Sequence, residues 1–262
     1  TMFQTLEIER QNSVVTIWMN RPDRHNAFDE TLIAELTAAF QALESDESVR
    51  VVVLAGRGKS FSAGADLNWM QRAAGYTIEQ NRADARQLAT MLRTLAELRQ
   101  PTIARVHGAA LGGGMGLAAA CDLCVAATAA SFATSEARFG LIPATIGPYV
   151  LRAIGARQAS RYFLTAERIT ARRAWELGLV HELTEPDALD AKVREIINAL
   201  LAGGPQAQTA AKDLIRAVAD RPVDDALVED TAQRIAQIRA TPEAREGLSA
   251  FLEKRPPNWM ES

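Results

Sequence analysis

Apolar and polar positions change period several times along the chain, and each change marks an element. Residues 3–10 alternate roughly as a strand and residues 14–19 (VVTIWM) repeat the signal, which predicts an antiparallel pair turning at residues 11–13. Leu32, Leu36, Phe40 and Leu43 then recur at helical spacing, with Asp29 or Thr31 available as a cap and Ser45 and Asp46 as a stop. Residues 49–55 (VRVVVLA) form a nearly continuous apolar run, as expected of a strand covered on both sides. A second helix is predicted over residues 79–99, with Leu88, Leu92, Leu95 and Leu98 on one face, and Pro101 opens a strand over 102–106. Helix, apolar strand and glycine-bearing turn thus occur twice, which points to a structural repeat wound as a superhelix. Between the copies, residues 68–77, with Trp69 and Met70, read as a polar and aromatic mobile wall.

Beyond the second copy the pattern predicts a short helix over 115–120, a strand over 123–129 and a mostly helical chain from Tyr149 onward. Helices are expected over 171–177, with Gly178 as a stop, and over 187–201, with a short strand at 179–183 between them. Residues 205–219, 223–239 and 242–254 form a helical tail, its last member capped by Thr241 with Pro242 at the first position. Helices without a sheet of their own must pack on the first body or on another subunit.

Composition narrows the partner. A chain of 262 residues can bury one substantial core with a small appended domain. Net charge is −3 with pI near 5.7 and no block of basic residues, so nucleic acid and anionic membrane are poor partners and a small molecule is the better one. The first residues, TMFQTLEIER, are charged where a signal peptide needs an apolar run, and no stretch approaches the roughly 20 apolar residues of a membrane span. A soluble cytoplasmic protein is expected. Cys121 and Cys124 form C-x-x-C, but no second pair exists and only three histidines occur, so packing is preferred to redox or metal chemistry and no metal site is assigned.

The candidate chemistry gathers at VHGAALGGGMG, residues 106–116, where a strand stops at three glycines and re-enters as a helix. Such a turn presents unpaired N–H groups and the positive end of a helix dipole to a negatively charged oxygen. Gly114, Gly116 and Ala119 also satisfy G-x-G-x-x-A, the dinucleotide fingerprint, yet the next strand ends in Thr128, Ala129, Ala130 and Ser131, and Glu136 arrives too late to serve as the ribose acid. The alternatives left are an oxyanion hole for a thioester enolate and a tight turn built for packing. SAGADL, residues 62–67, repeats the design, so two turns can supply two donors to one carbonyl oxygen. Gly58, Lys59 and Ser60 imitate the end of a phosphate-binding loop, but Val53 occupies its required first glycine. In NRPDRHNAF, residues 20–28, Arg21 and Arg24 place guanidinium groups on a loop that could meet phosphate, or that is merely solvated. Glu136, between Phe132 and the apolar run 139–143, is either an exposed loop acid or a partly buried one fit for proton transfer.

Taken together, NRPDRHNAF, SFSAGADL, VHGAALGGGMGLAAACDL, FATSEARFGLIP, AIGARQASRYFLTAERITARRAWELGLV and FLEKRPPNW resemble the enoyl-CoA hydratase/isomerase (crotonase) superfamily over residues 7–259. The resemblance implies an α/β fold, a spiral of β-β-α repeats over residues 1–200, with a helical trimerisation region over 201–262, assembled as a homotrimer or dimer of trimers. It implies oxyanion amides at Ala65 and Gly113, a catalytic Glu136, and no cofactor beyond the coenzyme A carried by the acyl-CoA thioester substrate. Substrate contact is implied for Arg21 and Arg24, for Ala63, Asp66, Leu67, Gly112 and Gly116 around the two turns, and for Phe251 and Lys254, which reach CoA across a subunit boundary.

One position departs from the pattern. Typical hydratases of the superfamily carry a glutamate two places after the glycine triplet, where this chain has Gly116. Water addition ordinarily divides base and acid between two carboxylates, whereas one carboxylate suffices for an isomerase. Against that, SAGADLNWM, SEARFGLIPATIGPYV and FLEKRPPNW resemble the bacterial 3-methylglutaconyl-CoA hydratase subgroup of leucine and isoprenoid degradation. Hydration of a branched enoyl-CoA is therefore the preferred expectation, a delta-isomerase the first alternative and a non-catalytic acyl-CoA binder the second. A distal carboxylate on such a substrate would be met by Arg72, Arg82 or Arg138.

Overall fold

The computed structural model describes residues 2–260. β1 (Leu6–Gln11) and β2 (Val14–Met19) form the antiparallel pair the alternation predicts, in the register Leu6 to Met19. Asp29 caps α1 (Glu30–Glu44) by accepting the Leu32 N–H at 2.8 Å, and the helix stops at Ser45. β3 (Val51–Gly56) is buried along its whole length, and β4 (Ser62–Ala63) follows a tight turn.

Residues 68–77, expected as a polar and aromatic mobile wall, hold most of a short helix. Asp66 caps α2 (Leu67–Ala73), accepting N–H bonds from Asn68 and Trp69, and Thr77 closes a reciprocal capping box with Gln80 at the start of α3 (Ile78–Ala96). α2 has no fully buried residue and so no marked apolar face, and the caps are the signal that matters here.

The repeat then becomes explicit. β5 (Thr102–Val106), β6 (Ala109–Leu111) and α4 (Gly113–Ala120) make one turn of the spiral; β7 (Leu123–Ala127), β8 (Ser131–Ala133) and the 3-10 turn Ser135–Phe139 make the next. The first strand of each turn joins a six-stranded sheet that ends in β10 (Glu182–Thr184), in the order β1-β2-β3-β5-β7-β10, and the second joins a four-stranded sheet that ends in β9 (Ile169–Thr170), in the order β4-β6-β8-β9. The remaining elements are α5 (Gly147–Thr165), β9 (Ile169–Thr170), α6 (Ala171–Leu177), β10 (Glu182–Thr184), α7 (Leu189–Leu201), α8 (Pro205–Val218), α9 (Asp225–Arg239) and α10 (Pro242–Glu253).

The large sheet sorts its side chains by the two-residue period of a strand. Val52, Leu54 and Ala104 face the cluster made with Leu36, Phe40, Leu92 and Leu95 of α1 and α3. Val51, Val53, Ile103 and Val125 face Leu189 and Val193 of α7. Cys121 and Cys124 are free and buried in this core, where burial pushes both thiols up, Cys124 to about 12, which leaves them inert thiols. The tail is tied to the lower edge of the sheet by α8, whose Lys212 Nζ donates to the carbonyl of Gln100 at 2.9 Å and pairs with Asp122 at 2.8 Å. Leu227 and Ala250 are the buried residues of α9 and α10, which leave most of their apolar side chains outside. No helix among the described residues is long and apolar enough to cross a membrane.

α4 packs directly on β4. A Cβ at Gly114 would stand 2.2 Å from the Ser62 carbonyl oxygen, a backbone atom that cannot swing aside. Gly114→Ala should therefore lower stability by about 1–3 kcal/mol, read as a lower urea midpoint at unchanged m-value.

Candidate active site

The strands of the small sheet bring separate turns to one edge. Ala63 pairs with Leu111 and Leu111 pairs with Ala133, all in parallel, so the chain leaves the sheet at one level three times. Two residues beyond those partners lie Ala65, Gly113 and Ser135, and Glu136 follows on the 3-10 turn.

Ala65 is held by an isolated parallel bridge to Phe28. The Phe28 N–H donates to the Gly64 carbonyl at 2.8 Å, and the Asp66 N–H donates to the Phe28 carbonyl at 2.7 Å. The bridging bonds use residues 64 and 66, so the N–H of the exposed Ala65 is turned away from Phe28, and it has no acceptor among the described residues. Gly113 opens α4, where a helix leaves its first N–H groups without intrahelical partners. The first bond of that helix runs from the Gly116 N–H to the Gly112 carbonyl at 3.1 Å, and the Gly113 N–H likewise lacks an acceptor among the described residues. Gly112 makes the turn possible: its φ of +55° is in the left-handed region, and its N–H donates to the Ala133 carbonyl at 2.8 Å.

Convergence is visible at Gly112. A Cβ built there would lie 3.1 Å from Glu136 Oε1 and 3.8 Å from the Gly64 Cα, so the two turns and the carboxylate border one small space. Glu136 Oε2 is buried with no hydrogen-bond partner among the described residues. Burial raises the carboxyl above the ordinary carboxylate range, a shift that the hydrogen bond from its own N–H only partly offsets. Two unpaired amide donors beside a partly desolvated carboxylate can hold a carbonyl oxygen as it gains charge and move a proton next to it.

Gly116 does not open onto this space with a side chain of its own. It is buried, and a Cβ there would meet Ile146 Cγ2 at 2.3 Å, so an apolar branched residue fills the place beside it. Other expected contacts need correction. Asp66 is 5% exposed, with one carboxylate oxygen on the α2 N-terminus and the other 3.0 Å from Arg21 Nη2, which leaves no side-chain atom for a ligand. Arg21 is equally committed, donating to the Ala27 carbonyl at 2.5 Å and lying 3.4 Å from Asp29; it fastens its loop instead of awaiting phosphate. Arg24 is exposed and has no ion pair among the described residues. Ala63 lies half-buried in β4, and Leu67 stands 73% exposed at the start of α2. Phe251 is 79% exposed on α10, and Lys254 is exposed just past its end.

Two residues escaped the sequence reading. Phe28 lies at the end of a quoted motif, but its contact with Gly113 is long-range and carries no local signature. Ile146 sits just beyond the apolar run 139–143, and only its contact with the Gly116 position marks it.

Comparison with known proteins identifies the family. A family profile described as enoyl-CoA hydratase/isomerase matches residues 9–262. The chain belongs to that enoyl-CoA hydratase/isomerase family. A crystal structure of an enoyl-CoA hydratase from Shewanella pealeana superposes with a TM-score of 0.95 at 43% identity, over 98% of this chain and 96% of that one. The crotonyl-CoA hydratase of Syntrophomonas wolfei is 31% identical over 98% of both chains. The 2,3-dehydroadipyl-CoA hydratase of Escherichia coli is 32% identical over 97% of this chain and 98% of its own. The crotonase α/β fold expected from the motifs is thus the fold observed, and the dinucleotide reading of the glycines falls away.

In this enoyl-CoA hydratase/isomerase chain the raised Glu136 carboxyl has a stability consequence. A group whose folded pKa lies above its unfolded value stabilises the fold below the unfolded pKa, and that contribution is lost as pH rises through the folded one. Glu136→Gln should therefore be more stable than the parent at pH 8, with the difference shrinking toward pH 4, in urea titrations at both values.

Proposed function

We propose that this protein adds water across the double bond of an α,β-unsaturated acyl-CoA thioester. The convergence of the Ala65 and Gly113 turns on the Glu136 carboxylate is the observation that supports it. The thioester oxygen would sit between the two amides. Ionised Glu136 takes a proton from water as its oxygen bonds to the β-carbon, and the π electrons move onto the thioester oxygen as an enolate. The same carboxyl then protonates the α-carbon as the enolate collapses, so one O–H and one C=C bond are exchanged for a C–O and a C–H bond. No second carboxylate is needed, which accords with Gly116 and the apolar Ile146 beside it.

That apolar wall also favours a second reading, an isomerase in which Glu136 removes an allylic proton and returns it elsewhere on the chain. Product mass separates them, since hydration adds a water and isomerisation leaves the mass unchanged. The expected outcome is hydration by the parent protein on a panel of enoyl-CoAs and a loss of about 10²–10⁴ in kcat for Glu136→Gln. Near-full activity of that variant on every member would rule out the role given to Glu136.

The finer substrate, 3-methylglutaconyl-CoA, belongs to the same proposal, as do a part in branched-acid breakdown, a cytoplasmic location and a trimeric assembly. Exposed Val228, Ile235, Leu248 and Leu252 on α9 and α10 support the assembly, which would carry Phe251 and Lys254 to a neighbour's CoA. Among the arginines considered, Arg72 pairs with Glu30 and Arg82 with Glu79, whereas Arg138 is exposed without an ion pair among the described residues. Of the three, Arg138 is the candidate retained for reading a distal carboxylate. Arg138→Met should lower kcat/KM for 3-methylglutaconyl-CoA by about tenfold relative to crotonyl-CoA, in line with one exposed-to-partly-buried charge pair; equal efficiency of the parent on both substrates would remove the need for a cation.

A further inference from the structure

Phe28 touches both halves of the candidate oxyanion site by different means. Its backbone N–H and carbonyl bond to Gly64 and Asp66, on either side of Ala65, at 2.8 and 2.7 Å. Its ring lies against the other turn: a Cβ at Gly113 would stand 2.2 Å from Phe28 Cε2 and 2.5 Å from Cδ2. The side chain is 2% exposed, so the ring has nowhere to retreat. Around it the loop is stitched down, with Arg21 bound to Asp66 and to the Ala27 carbonyl, the Ala63 N–H donating to the His25 carbonyl at 3.0 Å, and Ser62 Oγ donating to the Asn26 carbonyl at 2.7 Å.

We propose that Phe28 is a positioning residue that sets the separation of the two amide donors, its main chain holding the Ala65 turn while its ring braces Gly113. A hydrogen bond aimed at a developing charge is sensitive to displacements well under the diameter of an atom, and hydrocarbon packing is stiff enough to resist them. The ring touches Gly113 and is covalently continuous with the segment whose bonds to Gly64 and Asp66 hold Ala65. This inference rests on the reading of those amides as the thioester-oxygen donors. It also explains the glycine at position 113. Its φ lies outside the left-handed region, so alanine would fit the backbone there; what a methyl group meets is the ring.

The test pairs Phe28→Leu and the unbranched Phe28→Met, both of which remove the ring, with Gly113→Ala, which keeps its N–H, and with the Phe28→Leu/Gly113→Ala double variant. Thermal melts check folding, steady-state kinetics use the best substrate of the enoyl-CoA panel, and difference infrared reads the thioester carbonyl stretch of bound butyryl-CoA, which has no double bond to hydrate. Expected are a roughly tenfold to hundredfold fall in kcat with KM within about twofold for each folded single variant, and a smaller downshift of the carbonyl stretch. The double variant should recover activity over Gly113→Ala, since the methyl group enters the space the ring vacates. Unchanged kcat and carbonyl stretch in the Phe28 variants, or strictly multiplicative losses in the double variant, would overturn the inference. A parent protein that downshifts the carbonyl without hydrating any substrate sinks the hydratase reading and leaves Phe28 to be judged on the stretch alone. A parent that binds butyryl-CoA with no downshift overturns both.

Discussion

The register of β4, β6 and β8 is the constraint on which the candidate site depends. Because Ala63, Leu111 and Ala133 are level, three turns that are far apart in the sequence leave the small sheet side by side. A slip of one residue in any of these short ladders would reverse the facing of every side chain on it. What forbids the slip is the two-layer spiral. β3, β5 and β7 are locked in parallel in the large sheet, and each hands its chain to the small sheet through a turn of only a few residues. Packing reinforces the pairing, since Gly114 lets α4 rest on the Ser62 carbonyl and Gly112 lets the chain reverse without a side chain in the way.

A site assembled in this fashion is locally unfavourable. The Ala65 and Gly113 N–H groups lack acceptors and Glu136 Oε2 is buried without a partner among the described residues. The buried Glu136 oxygen forgoes on the order of 1–3 kcal/mol while it is shielded from water and unpaired, whereas the amides of the exposed Ala65 and the half-buried Gly113 are not shielded in this way. The surrounding core supplies the offset, because β3 is covered on both faces and the clusters about Leu54 and Val53 are continuous with α1, α3 and α7. The loop that approaches the site from the other side compensates in kind: Arg21, Asp29, Asn26 and Asp66 satisfy one another so fully that they have little left for a ligand. Rigid polar framing around two unsatisfied donors is the arrangement that electrostatic preorganisation asks for.

Hydrophobic period located most of the elements, and residues 14–19, 102–106 and 171–177 read from the pattern match β2, β5 and α6 residue for residue. The pattern missed α2, which buries none of its side chains completely and so shows no marked apolar face; the Asp66 cap is what signals it. The same residue shows why site residues are harder to read than strands. An aspartate between a glycine turn and an aromatic stretch looks alike whether it greets a ligand or caps a helix, and only the positions of the Asn68 and Trp69 N–H groups and of Arg21 distinguish the two. Motif order placed Ala65, Gly113 and Glu136 near one another. It said nothing of Phe28 or Ile146, because a contact between a ring and a glycine Cα, or between a branched side chain and the surface of a helix, leaves no trace in local spacing.

The absence of a carboxylate at Gly116 follows the same logic of close contact. A glutamate there could not enter without displacing Ile146, which is 3% exposed and wedged between α4 and the start of α5, so the single-carboxylate site is fixed by packing as well as by residue type. With one side of the site apolar, a water molecule beside Glu136 has fewer competing partners, and the carboxylate it meets is more basic than one in solution. One group that both accepts and returns the proton must act from one side of the substrate plane. For the proposed one-carboxylate hydration this means addition of oxygen and hydrogen to the same face, since Gly116 offers no second acid and Ile146 fills the place beside it.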